Sequence, residues 1–265
     1  MASESTTISS NKIDLRFESL RDEKRKALVC YITAGHPDRM RSLDLMKGLE
    51  ECGADVIEIG VPFSDPIADG PVIQRSSQQA LAGGMTLNGA LELVADAKLD
   101  IPVVLFTYLN PLLAGGDRIL VQCRDAGIDG ILVTDLPVGA DSRLENWLGA
   151  SDLAFIRLVA PTTPLERMQE IARNGSGFVY LISRLGVTGA QQSLASDLPE
   201  TAARLRMATD LPVCVGFGVS DPSQARAAAA VADGVVVGSA IVRAADAGLD
   251  KALALARTLR SALDD

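Results

Sequence analysis

The feature that most constrains the fold of this chain is a series of eight short apolar runs spaced along its length. They cover residues 27–33, 55–61, 102–108, 130–136, 154–160, 178–183, 212–218 and 234–239. Most are nearly continuous in Val, Ile and Leu rather than alternating with polar residues. Such runs are typical of strands buried on both faces, as in parallel sheets, so we predict eight parallel strands.

Segments of helical length and pattern separate these runs. Examples are residues 40–53, 87–98, 143–150, 164–175 and 223–234. Pro164 near the start and Gly175 past the end of one segment are typical of helix boundaries. Ser220 or Asp221 is a candidate N-cap for the last of these segments. The chain therefore alternates strand and helix.

Strands and helices that alternate over 265 residues predict an α/β fold, namely a single (β/α)8 or TIM barrel. Such a barrel needs about 250 residues, so one domain would occupy residues 1–265. An extra N-terminal helix over residues 13–26 would cover the bottom, and a helix over residues 249–263 would close the chain. We expect residues 1–10 to be loosely ordered. An open, doubly wound sheet is the alternative.

The charge balance bears on the partners of the protein. The net charge is −9, and no basic stripe is present, which argues against nucleic acid as the main partner. The N-terminus has no apolar signal region, and no run approaches the length of a membrane span. We therefore expect a cytoplasmic protein that does not bind membranes.

The residues that usually bind metals are few and scattered. The four cysteines, Cys30, Cys52, Cys123 and Cys214, form no C-x-x-C pair, and His36 is the only histidine. A zinc site needs clustered ligands, so no metal site is predicted. Cys30 and Cys214 lie in apolar runs and are expected to be buried, reduced thiols.

Glu58 lies in the second predicted strand, in the sequence VIEIGVPFSDPIADGP. Catalytic groups of barrels lie at the carboxyl ends of the strands, which makes Glu58 a candidate. The flanking Ile57 and Ile59 favour a carboxyl group that points into the barrel mouth. Desolvation there raises the pKa, as general acid–base catalysis requires. A structural glutamate paired with Arg or Lys is the alternative.

Asp65 and Asp69 lie in the loop that follows, among three prolines and a glycine in residues 62–71. The prolines indicate a shaped loop, although each aspartate alone is also common in turns. Glu58 and one of these aspartates would form a pair of carboxyl groups in different environments. Such a pair can separate acid and base roles.

Glycines follow the last three predicted strands, in GVTGA (residues 186–190), GFGVS (216–220) and GSA (238–240). Phosphate often binds between the loops after strands seven and eight of a barrel, and glycine lets backbone N–H groups approach its oxygens. Gly218, Gly238 and Ser239 are therefore candidate phosphate-binding residues. Turn glycines without a ligand are the alternative. These patterns predict a phosphate-binding barrel but not its reaction.

The run EIGVPFSDPIADGPVIQ closely resembles the signature of tryptophan synthase alpha chains. YLISRLGVTGA, GFGVS, VVGSAIV and YLNPLL are similar to further segments of that family, in the same order and spacing. The resemblance covers the chain from about residue 13 to its end. It implies a lyase that cleaves indole-3-glycerol phosphate into indole and glyceraldehyde 3-phosphate by a retro-aldol reaction.

The resemblance also implies the roles of individual residues. Glu58 would shuttle protons at the indole C3 and at the glycerol hydroxyl, and Asp69 would accept a hydrogen bond from the indole N–H. The expected substrate-binding residues are Tyr31, Phe106, Tyr108, Tyr180 and Thr188. The expected phosphate-binding residues are Gly189, Gly218, Gly238 and Ser239.

Other positions of the motifs are expected to be less important. Asp65 is expected at the loop and at partner contacts, and His36 as a loop or cap residue rather than a catalytic one. Leu185 stands where the family often has a smaller residue.

The resemblance further implies a partner. Alpha chains pair with a beta subunit, typically as α2β2, and indole passes between them. Pyridoxal phosphate then belongs to the beta subunit, and no cofactor is expected in this chain. The alternatives are a stand-alone indole-3-glycerol phosphate lyase and a weakly active allosteric or binding subunit. A sugar-phosphate isomerase barrel would explain GFGVS and GSA but not the EIGVPFSDP segment.

Overall fold

Eight parallel strands form a closed barrel in the computed structural model, which describes residues 11–183, 197–216 and 218–265. The strands are β1 Ala27–Thr33, β2 Val56–Gly60, β3 Val103–Thr107, β4 Gly130–Val133, β5 Ala154–Val159, β6 Val179–Ile182, β7 Val213–Gly216 and β8 Gly234–Val237. Each strand pairs with the next, and β1 also pairs with β8, which closes the ring. The predicted barrel is confirmed, and the open sheet is wrong. Residues 1–10 lie outside the described part.

Twelve helices accompany the strands in the described residues. They are α1 Lys12–Asp22, α2 Arg39–Glu51, α3 Pro71–Ala82, α4 Leu87–Ala97, α5 Leu109–Ala114, α6 Ile119–Asp125, α7 Ser142–Gly149, α8 Leu165–Arg173, α9 Leu198–Ala208, α10 Pro222–Ala229, α11 Ser239–Asp246 and α12 Leu249–Asp264. Every segment predicted as helical forms one. Asp221, rather than Ser220, caps α10 through bonds from two backbone N–H groups. None of these helices is long and apolar enough to cross a membrane.

The continuous apolar runs have a simple explanation in the two layers of the core. In β1, Leu28, Cys30 and Ile32 face the surrounding helices, whereas Val29 and Tyr31 face the barrel interior. Both faces of the strand are buried, so both sets of residues are mostly apolar.

Helix α1 closes the lower end of the barrel, as predicted. Its buried residues Ile13, Phe17 and Leu20 join the interior cluster. The ring of Phe17 lies 5.7 Å from that of Phe178, the residue just before β6. Helix α1 does not cover the opposite end, where the strands have their carboxyl termini, so a functional site can lie there.

Three aspartates at the lower end connect neighbouring strands. Each immediately precedes a strand, and its side chain accepts a hydrogen bond from a backbone N–H at the start of the preceding strand. The pairs are Asp55 with Leu28 at 2.7 Å, Asp129 with Val103 at 2.9 Å and Asp233 with Val213 at 2.9 Å. In each pair the aspartate N–H also donates to the carbonyl of the partner residue. These bonds fix the register at β1–β2, β3–β4 and β7–β8.

Of the three aspartates, Asp55 also forms ion pairs with both terminal helices, α1 and α12. Its carboxylate is fully buried and forms ion pairs with Arg16 of α1 and, at 2.9 Å, with Arg260 of α12. The Arg260 guanidinium also donates to the carbonyl of Lys26, just before β1. One carboxylate therefore joins two strands and two helices that are distant in sequence.

We expect Asp55→Ala to destabilise the protein strongly. It removes one of the two carboxylates paired with the buried Arg260 guanidinium, which keeps only the part-exposed Asp264, and breaking a buried ion pair costs about 3–5 kcal/mol. The thermal midpoint should fall by several degrees or more. Asp129→Ala is the matched control, because Asp129 makes the same strand contact but only a 4.0 Å approach to the part-exposed Lys12. Equal losses in the two variants, measured by thermal and urea unfolding, would show that the ion pairs of Asp55 add nothing.

Candidate active site

Glu58 is a buried carboxyl group near the open end of the barrel. Its side chain is only 1% exposed, and neither carboxyl oxygen accepts a hydrogen bond from any described residue. Residues 56, 58 and 60 of β2 point inward, whereas Ile57 and Ile59 face the helices. Burial raises the pKa of Glu58 from 4.5 to about 8. A structural glutamate would be paired with Arg or Lys, and Glu58 has no such pair among the described residues.

Asp69 lies beside the barrel mouth, on the loop between β2 and α3. The hydroxyl of Tyr108 donates to its Oδ2 at 3.0 Å. Burial raises the pKa of Asp69 to about 6, and the hydrogen bond from Tyr108 opposes the rise. Glu58 and Asp69 are therefore two carboxyl groups with pKa values on opposite sides of 7, which suits one to be protonated and the other ionised.

Tyr108, which follows β3, holds the loop that bears Asp69. Its oxygen accepts a hydrogen bond from the backbone N–H of Ala68 at 2.9 Å, and its ring lies 5.0 Å from that of Phe63. The resemblance implied a place for Tyr108 in the lining of the indole pocket. Among the described residues, its hydroxyl contacts Ala68 and Asp69 and so positions Asp69.

Tyr31 and Phe106 form an aromatic pair inside the barrel, on either side of Glu58. Tyr31 of β1 is the register partner of Glu58, and Phe106 of β3 lies opposite Gly60. The two rings meet edge to face, with centroids 5.3 Å apart. An apolar wall of this kind suits a flat aromatic ligand.

Two glycines that the sequence did not single out make room for tyrosine hydroxyls. A β-carbon built on Gly60 would lie 2.0 Å from the hydroxyl oxygen of Tyr31, and one on Gly216 would lie 2.1 Å from that of Tyr180. In each case the glycine comes two residues after the register partner of the tyrosine. The sequence signal that could have found these glycines is a glycine at an inward-facing position of one strand next to a tyrosine at an inward-facing position of the neighbouring strand.

The candidate phosphate residues lie at the ends of β7 and β8, which are neighbours in the ring. Gly238 precedes the first turn of α11, and Ser239 begins it. The backbone N–H groups of a first helical turn have no partner within the helix and can bind an anion. Gly218, which follows β7, has a φ of +101° and is exposed, so its backbone is accessible to a ligand.

The remaining candidates lie elsewhere or outside the described residues. Asp65 is exposed and accepts a hydrogen bond from Ser64, on the outer side of the loop. His36 does lie in a loop, but it is buried, with Nε2 2.8 Å from Asp246 Oδ1. Thr188, Gly189 and Leu185 are outside the described part of the chain. Within that part, no group of three or more His, Cys, Asp or Glu residues is placed to hold a metal ion.

The fold and this geometry define a class: a (β/α)8-barrel protein with two carboxyl groups of raised pKa at the carboxyl ends of its strands. Within that class, the sequence of this chain matches one particular family. The family model described as tryptophan synthase alpha chain matches residues 17–263. The chain belongs to this family.

Relatives and solved structures agree with this assignment. The chain is 50% identical to the tryptophan synthase alpha chain of Desulfatibacillum aliphaticivorans over 88% of this chain and 89% of that protein. It is 45% identical to that of Caulobacter sp. (strain K31) over 95% and 97%. A structure of Mycobacterium tuberculosis tryptophan synthase superposes with a TM-score of 0.89 at 37% identity, covering 96% of this chain and 99% of the other.

The burial of Glu58 predicts a pH-dependent gain in stability from Glu58→Gln. The folded-state pKa is about 8 and the ordinary value is 4.5, so the folded protein binds the extra proton between these limits. The stability of the wild type relative to Glu58→Gln therefore falls as the pH rises through this window and is constant above it. The variant should melt at nearly the wild-type temperature at pH 4.5 and at a higher temperature at pH 9.

The control is Glu18→Gln, which changes an exposed glutamate of α1. Its melting temperature should follow that of the wild type across the same pH range. A difference between Glu58→Gln and wild type that does not depend on pH would contradict a raised pKa at Glu58.

Proposed function

We propose that this protein cleaves indole-3-glycerol phosphate into indole and glyceraldehyde 3-phosphate, as the alpha subunit of a tryptophan synthase. The observation that carries the proposal is the buried, unpaired Glu58 carboxyl group of β2, with the second carboxyl group of raised pKa, Asp69, on the loop that follows the same strand. Family membership supplies the identity of the substrate. The residues then account for each step of the reaction.

Glu58 is the proton shuttle. With a pKa of about 8 it is protonated near neutral pH, so it can donate its proton to C3 of the indole ring. The carboxylate that remains then removes the proton of the hydroxyl on the carbon next to the ring. The bond between that carbon and C3 breaks, and its electrons return to the ring to give indole. The carbonyl that forms belongs to glyceraldehyde 3-phosphate.

Asp69 is the partner of the indole nitrogen. Protonation at C3 places positive charge on that nitrogen, and an ionised carboxylate that accepts the N–H bond stabilises it. With a pKa of about 6, Asp69 is mostly ionised at pH 7. The hydrogen bond from Tyr108 fixes one oxygen and leaves the other for the substrate. This division of roles needs the two carboxyl groups to differ, as they do.

The substrate is held at both ends. The phosphate binds at the first turn of α11, with Gly218, Gly238 and Ser239, and the indole ring lies against Tyr31, Phe106 and Tyr180. Thr188 and Gly189 complete the site through the segment after β6. Anion binding at a helix N-terminus does not require a positively charged protein, which fits a net charge of −9.

The protein works with a beta subunit, which carries pyridoxal phosphate, as an α2β2 complex in the cytoplasm. The side chain of Ile67, on the loop next to Asp69, is 79% exposed and supports this loop as a contact surface. The chain acts as a single domain, and indole passes from its barrel to the partner.

Removal of either carboxylate should abolish most activity. We expect Glu58→Gln and Asp69→Asn each to reduce indole release by about 100-fold or more, because each loses one essential acid–base or electrostatic group. The assay is indole release from indole-3-glycerol phosphate, with and without a tryptophan synthase beta subunit. Asp65→Asn, measured in the isolated chain, is the matched control. Near-normal turnover by Glu58→Gln would rule out its role as the shuttle.

The response to the beta subunit separates this function from its alternatives. Weak activity alone that rises strongly with the partner supports an alpha subunit. High activity alone without a response identifies a stand-alone lyase. No indole under either condition leaves a binding subunit.

The rate should depend on pH in a bell-shaped manner. Asp69 must be ionised and Glu58 protonated, so kcat/KM should be highest between about pH 6 and about pH 8. Tyr108→Phe removes a bond that lowers the pKa of Asp69 and should move the acid limb to higher pH. The alkaline limb should stay in place, because it belongs to Glu58. Movement of both limbs together would mean that the two carboxyl groups were assigned wrongly.

A further inference from the structure

The backbone on either side of Tyr108 is held by the two residues that follow β4. On one side, the N–H of Thr134 donates to the carbonyl of Thr107 at 3.0 Å. On the other side, the N–H of Leu109 donates to Oδ1 of Asp135 at 2.7 Å. These groups belong to the two peptide units that flank Tyr108, so hydrogen bonds from the end of β4 restrict the rotation of its backbone in both directions.

The bond from Leu109 also caps helix α5. The N–H groups of a first helical turn have no partner within the helix, and they usually bond to a Ser, Thr, Asp or Asn at the N-cap position. In α5 that position is Tyr108, whose side chain makes no cap bond. The acceptor is Asp135 instead, 26 residues away from Leu109 along the chain. The start of α5 is therefore tied to the end of β4.

The loop that bears Asp135 is itself firmly held. Leu136, the next residue, is buried, and its carbonyl accepts a hydrogen bond from Nη1 of Arg157 at 3.1 Å. Arg157 forms an ion pair with Glu145 at 3.0 Å, and both side chains are almost completely buried. Although Asp135 is exposed, its backbone is thus anchored next to a buried ion pair.

Tyr108 transmits this constraint to the loop that bears Asp69. Its hydroxyl donates to Oδ2 of Asp69 at 3.0 Å and accepts the N–H of Ala68 at 2.9 Å. The hydroxyl lies at the far end of a rigid ring, so a small rotation of the backbone is magnified at the oxygen. A displacement of about 1 Å would break both bonds, because hydrogen bonds do not reach beyond about 3.5 Å. Misplacement of a catalytic group by about 1 Å can lower a rate about 100-fold.

We propose that Asp135 is a positioning residue: by accepting the N–H of Leu109 it fixes the backbone of Tyr108, and thereby the place of the Asp69 carboxylate. The inference rests on the proposed function, in which Asp69 accepts a hydrogen bond from the indole N–H. Asp135 itself does not contact the substrate. Its influence passes through Tyr108, so the end of β4 supports a carboxylate on the loop after β2.

The pH dependence distinguishes positioning from a direct effect of charge. Burial raises the pKa of Asp69 and the bond from Tyr108 opposes the rise, so loss of that bond in Asp135→Ala should raise the pKa further. Direct removal of a negative charge would instead lower the pKa of Asp69. The described ionisable side chains that act on Asp69 are Tyr108 and Tyr31, and burial raises the pKa of both, so they stay neutral in this range. An acid limb of kcat/KM that moves to higher pH is therefore the mark of positioning.

Asp135→Ala tests the proposal, in the isolated chain and again with the beta subunit. On the acid side of the optimum we expect kcat/KM for indole release to fall about tenfold under both conditions, as for one lost hydrogen bond. The acid limb should move to higher pH and the alkaline limb should stay in place. Asp135→Asn keeps an acceptor oxygen and should remain within about twofold of wild type.

Two results would overturn the proposal. A loss of activity that appears only with the beta subunit would mean that Asp135 is a contact to the partner. An acid limb that does not move, or that moves to lower pH, would mean that Asp135 does not position Asp69.

Asp141→Ala is the matched control. Asp141 lies in the same loop and likewise accepts backbone N–H bonds at the start of a helix, from Arg143 and Leu144 of α7. The variant loses a helix cap as Asp135→Ala does, but it should keep the acid limb of the wild type. Equal movement of the acid limb in the two variants would show a general loosening of the loop rather than positioning.

The double variant Tyr108→Phe with Asp135→Ala tests the route. Tyr108→Phe already removes the bond to Asp69, so the acid limb of the double variant should coincide with that of Tyr108→Phe alone. A further shift in the double variant would mean that Asp135 does not act through Tyr108.

A measurement without substrate separates this inference from the proposed function. The pKa of Asp69 can be followed by NMR of protein labelled with ¹³C at its aspartate carboxyl groups, with Asp69→Asn to assign the signal. It should rise in Asp135→Ala but not in Asp135→Asn or Asp141→Ala. Wild-type protein that releases no indole, even with the beta subunit, refutes the proposed function and leaves this titration to decide whether Asp135 positions Asp69. Wild-type protein that releases indole, together with an unchanged pKa of Asp69 in Asp135→Ala, refutes only the role of Asp135.

Discussion

Closure of the sheet between β1 and β8 is the constraint on which the rest of the structure depends. A closed ring has no edge, so every second residue of every strand faces an interior that water can enter only at the ends. Helix α1 fills one end, and the other end is where the site lies. The desolvation of Glu58 is a consequence of this closure rather than of its neighbours in sequence.

Asp55, just before β2, and Glu58, within β2, show how differently the two ends of the barrel are used. Asp55 and Glu58 are three residues apart and almost equally inaccessible, at 0% and 1% exposure. Asp55, at the lower end, is paired with two arginines and a backbone N–H, so its burial stabilises the fold. Glu58, towards the upper end, has no such partner among the described residues. That arrangement costs stability, and it keeps a proton available for chemistry near neutral pH.

The positions of the Tyr31 and Tyr180 hydroxyls depend on glycines in the neighbouring strands. Gly60 and Gly216 lack the side chains that would displace the hydroxyls of Tyr31 and Tyr180. The hydroxyl of Tyr108 forms hydrogen bonds with the loop that bears Asp69. Three residues of one type thus have different environments, which come from packing between strands and loops rather than from the residue type.

The sequence by itself determined the fold class, the positions of the strands and of those helices that were predicted, and the place of Glu58, because these follow from local apolar periodicity and from the motif around it. Asp69, Gly238 and Ser239 could be singled out for the same reason. It did not reveal the ion pairs of the buried Asp55, the hydrogen bond by which Tyr108 holds Asp69, or the space that Gly60 leaves for the hydroxyl of Tyr31. Each of these joins atoms of different strands or helices, such as Asp55 and Arg260, 205 residues apart. Only closure of the ring decides which distant side chains meet, because no local pattern encodes contacts across strands.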